Sequence, residues 1–258
     1  MTEPLTGQVA IVTGGASGIG GATCRALKAR GVRVVAVDMN PQKLAEQKQS
    51  GGCDEPLSLD VRREEDMEKM ARETVERFGR IDILVASAGI LRGTGSTPRP
   101  LANVSVEEWD QVIETNLRGM FLSNRAVLPA MLRQRRGNIV NISSVSGQKG
   151  RPFDAPYCAS KFGVIGMSES LAEEVRNSGI RVQIVLPDAV DTPMWDQNGP
   201  VPRPPNAVSP DRVAEVIVYL LAQPADTMIP SVVVAPFRTR RGVGAKYRSK
   251  DDETEQRS

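Results

Sequence analysis

The sequence predicts an α/β fold, a single domain built on a doubly wound parallel sheet of about seven strands flanked by helices. Three observations predict it. Short runs rich in Val and Ile alternate with longer stretches of helical periodicity. Those runs are almost wholly apolar, as strands buried on both faces must be. The first of them empties into a glycine-rich turn that opens a helix.

In chain order, strands are expected at Val9–Thr13, Arg33–Val37, Pro56–Leu59, Ile81–Ala86, Asn138–Ser143, Arg181–Val185 and Ser231–Ala235. Helices are expected between them at about 18–30, 42–50, 63–78, 105–134, 155–178 and 209–222. Asn40-Pro41 and Ser209-Pro210 mark two helix starts, each a capping residue before a first-turn proline. Trp109 is expected on the core face of its helix. Residues 1–238 read as the domain and 239–258 as a charged tail. Two segments, about 90–104 and 187–210, gather Gly and Pro and read as long loops; loops at the carboxyl ends of parallel strands wall the ligand crevice.

Composition narrows the chemistry. The 258 residues are 40% hydrophobic and 25% charged, ordinary for a soluble globular chain, and they include no histidine. That excludes a Ser-His-Asp or Cys-His triad and a His-ligated zinc, so a catalytic proton must move through Tyr, Lys, Cys or a carboxylate, and no metal is expected. Cys24, Cys53 and Cys158 form no C-x-x-C pair, which suits a reducing compartment. Met1–Gln8 lacks a leader pattern and no apolar run approaches membrane-spanning length, so the expectation is a cytoplasmic protein with no membrane partner. From Arg238 onward there are seven Lys/Arg against four Asp/Glu, which leaves the body nearly neutral. Without a basic patch on the domain, no nucleic-acid partner is expected.

The turn Thr13-Gly14-Gly15-Ala16-Ser17-Gly18-Ile19-Gly20 has the spacing that brings backbone N–H groups and a helix N-terminus against a pyrophosphate. The second strand ends at Asp38, about 20 residues on, where a carboxylate accepts the hydroxyls of an adenosine ribose. A carboxylate there repels the extra phosphate of NADP, and neither Ser17 nor Met39 offers a cation to attract it, so NAD is the expected cofactor. Tyr157 and Lys161 stand four apart on one helical face, where an ammonium lowers the pKa of a phenol. Ser144 ends the fifth strand thirteen residues earlier.

These motifs together resemble the short-chain dehydrogenase/reductase family, from about Gly7 to Leu221: the 13–20 turn, Asp60-Val61 after the third strand, Ala88-Gly89 after the fourth, Asn116, Ser144 and Tyr157-x-x-x-Lys161. The resemblance implies a Rossmann-type domain that binds a nicotinamide dinucleotide. It implies Tyr157 as acid/base, Lys161 on the nicotinamide ribose, Ser144 on the substrate oxygen and Asn116 fixing a water in the proton relay. Gly14, Ser17, Gly18, Ile19, Gly20, Asp38, Met39, Val61, Ala88, Gly89 and Pro187 would line the cofactor. Asp60 would meet the adenine amino group, and Val190 and Thr192 the carboxamide and phosphates. It also implies a homodimer or homotetramer, formed through the helices at 104–133 and 155–177.

The sequence departs from the family pattern at Ala86-Ser87, where paired asparagines are usual, and at Pro187-Asp188, where Pro-Gly is usual. The usual Asp-Gly-Gly finish is missing as well. Arg92, Arg99, Arg151 and Arg203 fall on the crevice loops, so an anionic substrate group is one expectation, and Asp188 and Trp195 join them as candidate substrate contacts. The expected function is an NAD-dependent oxidoreductase acting on a small secondary alcohol or sugar-like polyol. The alternatives are a 3-oxoacyl thioester (acyl carrier) reductase and a catalytically silent nucleotide-binding scaffold.

Overall fold

The computed structural model describes residues 4–237; the charged tail predicted at 239–258 lies outside the described residues. Seven parallel strands form one sheet in the order β3-β2-β1-β4-β5-β6-β7, where β1 is Val9–Thr13, β2 Arg33–Asp38, β3 Glu55–Ser58, β4 Ile83–Ala86, β5 Gly137–Ile142, β6 Ile180–Pro187 and β7 Ser231–Val234. The order reverses between β1 and β4, so the crevice beyond their carboxyl ends is a topological switch point where ligands bind in such sheets.

The central strands explain the apolar runs: β1, β4 and β5 are buried at every position. One face of the sheet packs against α1 (Gly18–Lys28) and α7 (Pro210–Leu221), with Leu27, Val34, Val85 and Ile217 in a shared core. The other carries α3 (Glu64–Phe78), α5 (Gly119–Gln134) and α6 (Ala155–Glu174), with Met67, Leu84, Met131 and Val164 between them. Burying each such side chain contributes roughly 1.5–3 kcal/mol before entropy is counted. Helix α2 (Pro41–Gln49) is capped by Asn40, whose side chain accepts from the Lys43 N–H at 3.0 Å.

The helix expected over 105–134 is interrupted. Helix α4 (Val106–Ile113) passes through a π turn, Glu114–Arg118, before α5 continues the same rod. A π turn inserts a residue and re-aims one side chain, and such turns concentrate at functional sites; here the side chain at its centre is Asn116. Trp109 is exposed rather than packed inward, because α4 turns Glu108 and Val112 to the interior. The two crevice loops are more ordered than their composition predicts. Leu101–Asn103 and Pro193–Asn198 are short 3₁₀ helices, and Val190 bridges to Val208. A buried polar tether, Asn124 Nδ2 to Asn141 Oδ1 at 2.9 Å and Asn141 Nδ2 to Ser168 Oγ at 2.9 Å, ties α5 and β5 to α6 and sets the position of α6 on the sheet.

Candidate active site

A cavity of about 570 Å³ runs along the carboxyl ends of the strands. At one end lies the glycine turn. Gly14 sits at φ +67° and packs so closely that a Cβ there would stand 2.9 Å from the Ala88 backbone, and a Cβ on Gly20 would stand 2.2 Å from the Gly14 carbonyl oxygen. Gly18 packs against Thr192 across the cavity. Ser17, Ile19, Ala88, Gly89, Val61, Pro187, Val190 and Thr192 line the same space. A cradle that only glycine can form, at the N-terminus of α1, fits a dinucleotide pyrophosphate.

Asp38 closes the glycine-turn end of the cavity. Its Oδ1 accepts from Asn40 N at 3.0 Å and its Oδ2 from Ala16 N at 3.3 Å, so the carboxylate is held between the glycine turn and α2, lining the cavity beside Met39. Because Asn40 caps α2, Asp38 is left facing the cavity. Sequence reasoning missed Lys43, which lines the same end. Its signal was its place in the first turn of the helix that follows the β2 carboxylate.

Two predicted site residues, Asp60 and Asn116, make further contacts within the chain. Asp60 does not line the cavity; its neighbours Leu59 and Val61 do. Its carboxylate is gripped by Arg62, Oδ2 to Nη2 at 2.6 Å and Oδ1 to Nε at 3.0 Å, and although burial opposes ionisation, those hydrogen bonds hold it below the usual carboxylate range. Asn116 is wholly buried and its side chain acts as a strut. Its Oδ1 accepts from Ile90 N at 2.8 Å, and its Nδ2 donates to the Ile90 carbonyl at 2.8 Å and to Ser160 Oγ at 3.1 Å. Ser160 in turn donates to the Tyr157 carbonyl at 2.7 Å, so Asn116 joins the segment after β4 to the turn of α6 that bears Tyr157.

At the other end Ser144, Tyr157 and Lys161 converge. Ser144 Oγ donates to the Pro187 carbonyl at 3.3 Å and accepts from Ser146 N at 3.1 Å, fixed at the end of β5. Lys161 is buried, donates to the Ile142 carbonyl at 2.9 Å, and stands with Nζ 5.6 Å from the centre of the Tyr157 ring. Burial pushes the Tyr157 phenol up to about 12, against the pull of a Ser144 hydrogen bond and the nearby Arg151 charge, and burial pushes the Lys161 amine down to about 8. The phenol was expected to be lowered by its lysine; burial is the largest influence on it in this geometry. A phenol held protonated at neutral pH is a proton donor. Initial rates of ketone reduction should therefore hold steady from neutral pH and fall only as the pH approaches about 12, while alcohol oxidation should climb continuously from neutral pH toward about 12 as phenolate becomes available. An oxidation optimum below neutral would contradict Tyr157 as the titrating group.

Each crevice arginine is paired with a carboxylate. Arg92 is buried and lies outside the cavity lining, donating to the Phe153 carbonyl at 2.8 Å, to Asp154 Oδ1 at 2.5 Å and to Asn198 Oδ1 at 3.1 Å. Arg99 lies 3.8 Å from Glu108, Arg151 2.7 Å from Asp188, and Arg203 bonds Asp191 and Asp196 at 2.7 and 2.8 Å. The arginines expected to meet an anionic substrate are thus each set against a carboxylate of the same chain. Trp195 does line the cavity, its indole Nε1 donating to the Val190 carbonyl at 2.8 Å. Gln197 and Asn198, which sequence reasoning also missed, line the cavity and secure the loop after β4, with Gln197 Oε1 accepting from Leu91 N at 2.8 Å.

A glycine-turn dinucleotide cradle ending in a Ser-Tyr-Lys cluster defines a nicotinamide-dependent oxidoreductase. The short chain dehydrogenase family model matches residues 8–201, and the chain belongs to that family. It is 36% identical over 242 residues to a 3-oxoacyl-[acyl-carrier-protein] reductase from Thermotoga maritima, covering 89% of this chain and 96% of that one. Among solved structures it resembles levodione reductase, with a TM-score of 0.80 and 32% identity over 89% of this chain and 96% of that one. It also resembles a metagenomic short-chain oxidoreductase in complex with NADP, with a TM-score of 0.77 and 35% identity over 92% of this chain and all of that one. Among the described residues no helix is long and apolar enough to cross a membrane.

Proposed function

We propose that the protein is an NAD-dependent dehydrogenase/reductase that interconverts a small, uncharged secondary alcohol or polyol and its ketone. The convergence of Ser144, Tyr157 and Lys161 at one end of a cavity whose other end is closed by Asp38 carries this reading. The bound nicotinamide supplies the hydride acceptor or donor for the carbinol carbon. Tyr157 carries the proton, giving it to the substrate oxygen in reduction and taking it in oxidation. Ser144, held by the hydrogen bond that its Oγ accepts from the Ser146 N–H, turns its single O–H from the Pro187 carbonyl to donate to that oxygen. Lys161, anchored on the Ile142 carbonyl, has ammonium hydrogens left for the nicotinamide ribose. Asn116 holds Ile90 and α6 in register and so positions Tyr157. None of these steps requires histidine or metal. Phe121 on α5 and Phe162 on α6 are exposed, which supports a homodimer through these helices.

Asp38 supports NAD over NADP. Replacing it by Ser should lower the NADH-over-NADPH affinity ratio about a hundredfold, by losing the ribose acceptor and leaving Lys43 to attract the extra phosphate. Fluorescence titration with both cofactors tests this; an unchanged ratio, or NADP preference in the wild type, overturns the assignment.

Acyl carrier reduction is the second reading, favoured by the Thermotoga maritima relative. Against it, Arg92, Arg99, Arg151 and Arg203 around the crevice are each paired with a carboxylate, leaving them little positive charge to receive an acidic carrier protein. Turnover of neutral secondary alcohols with NAD, set beside reduction of a carrier-bound 3-oxoacyl thioester, decides between the two.

A further inference from the structure

We propose that Asp188 determines specificity: by pairing with Arg151 at the substrate end of the cavity it masks the guanidinium, so that the pocket takes uncharged ketones and alcohols in preference to carboxylated ones. This rests on reading the site as one of hydride transfer. Both residues line the cavity with Ser144 and Tyr157, and Arg151 Nη2 lies 2.7 Å from Asp188 Oδ1.

The pair is placed from two fixed points. Asp188 N donates to the Val234 carbonyl at 2.9 Å, which holds its backbone at the mouth of β6 and β7. The residue before it, Pro187, offers its carbonyl to Ser144, so the carboxylate emerges one residue from a contact of the serine that faces the substrate oxygen. On the other side Arg151 N donates to Cys158 Sγ at 3.3 Å, which roots the arginine on the first turn of α6 beside Tyr157.

The side chain of Arg151 is 43% exposed and that of Asp188 18%. A half-exposed guanidinium is reachable by a ligand, and a pair this wet is weak in stability terms. Its consequence is electrostatic: a substrate carboxylate entering beside Arg151 meets a cation whose field is already cancelled. The neighbouring loop arginines are compensated in the same way, by carboxylates other than Asp188. Asparagine has nearly the shape of aspartate and keeps a hydrogen-bond acceptor, so Asp188→Asn removes the charge with little change in packing.

The test uses the enzyme bound to its preferred reduced dinucleotide and two ketones of similar shape, 4-methylcyclohexanone and 4-oxocyclohexanecarboxylate. The ratio of kcat/KM for the carboxylate over the neutral ketone should rise about tenfold in Asp188→Asn and fall back when Arg151→Gln is added. The dissociation constants of both ketones from the enzyme–dinucleotide complex, read by dinucleotide fluorescence, should show the same change without turnover. Asp188→Gly provides a second route to the same charge removal if the first variant does not fold. Turnover of the neutral ketone with an unchanged ratio overturns the masking alone. A shifted binding ratio with no turnover of either ketone keeps the masking and overturns the hydride-transfer reading. A gain that survives Arg151→Gln, or no binding of the carboxylate by Asp188→Asn, overturns the masking.

Discussion

Tyr157→Phe is expected to lose about 10³-fold in kcat in both directions while still binding the dinucleotide. The phenol hydroxyl is the proton carrier, and Phe keeps the ring packed over Lys161, whose Nζ lies 5.6 Å from its centre. Cofactor affinity should change little, because Lys161 remains held by the Ile142 carbonyl and the glycine turn is untouched. Ser144 alone cannot replace the hydroxyl, since its own oxygen is shared between Pro187 and Ser146. The measurement is kcat beside the dinucleotide dissociation constant. Turnover within tenfold of wild type would sink the proton path, and loss of dinucleotide binding would show that the hydroxyl's chief role is to hold the cofactor.

Arg92→Met is expected to be the most destabilising single change at the crevice. Arg92 draws together three segments: the loop after β4, the residues before α6 and the 3₁₀ helix at Pro193–Asn198. Its side chain is 5% exposed and that of its partner Asp154 is 18%, so removing the arginine leaves a carboxylate in a poorly solvated place. Breaking a buried pair from one side costs about 3 kcal/mol or more, which in a chain of this size lowers Tm by roughly 10 °C. Phe153, one of two non-glycine residues with positive φ among the described residues, at +67°, turns its carbonyl to Arg92; without that bond the strained backbone has less reason to persist. Asp154 lies three residues before Tyr157, so relaxation there should also raise the substrate KM. Adding Asp154→Leu should recover much of the lost stability, because no charge is then left buried. Thermal unfolding of the two single variants and the double reads this directly; a single variant as stable as wild type would show that the clasp contributes nothing.

Much of this site was legible in the linear sequence because its chemistry is set by spacing. The strand-turn-helix at 9–28 sets its glycines along one end of the cavity, the end of β2 brings Asp38 beside them, and a four-residue helical step puts Tyr157 and Lys161 onto one face. The central strands β1 and β4 were legible for the same reason: strands covered on both sides must be apolar throughout, and that shows without knowledge of neighbours, whereas the edge strands β3 and β7 are only half-covered. The charged side chains were not legible, because an ion pair is chosen by which loops meet in space. Arg92 finds Asp154 and Asn198, 62 and 106 residues away, and Arg151 finds Asp188 across 37, with no periodicity to announce either. The side-chain bonds of Asn116 to Ile90 and Ser160, and of Asp60 to Arg62, were likewise not legible, since they depend on which segments meet. Local geometry thus determined the fold class, the dinucleotide cradle and the Ser-Tyr-Lys cluster. Tertiary packing alone decided which charges are cancelled and therefore what the pocket presents to a substrate.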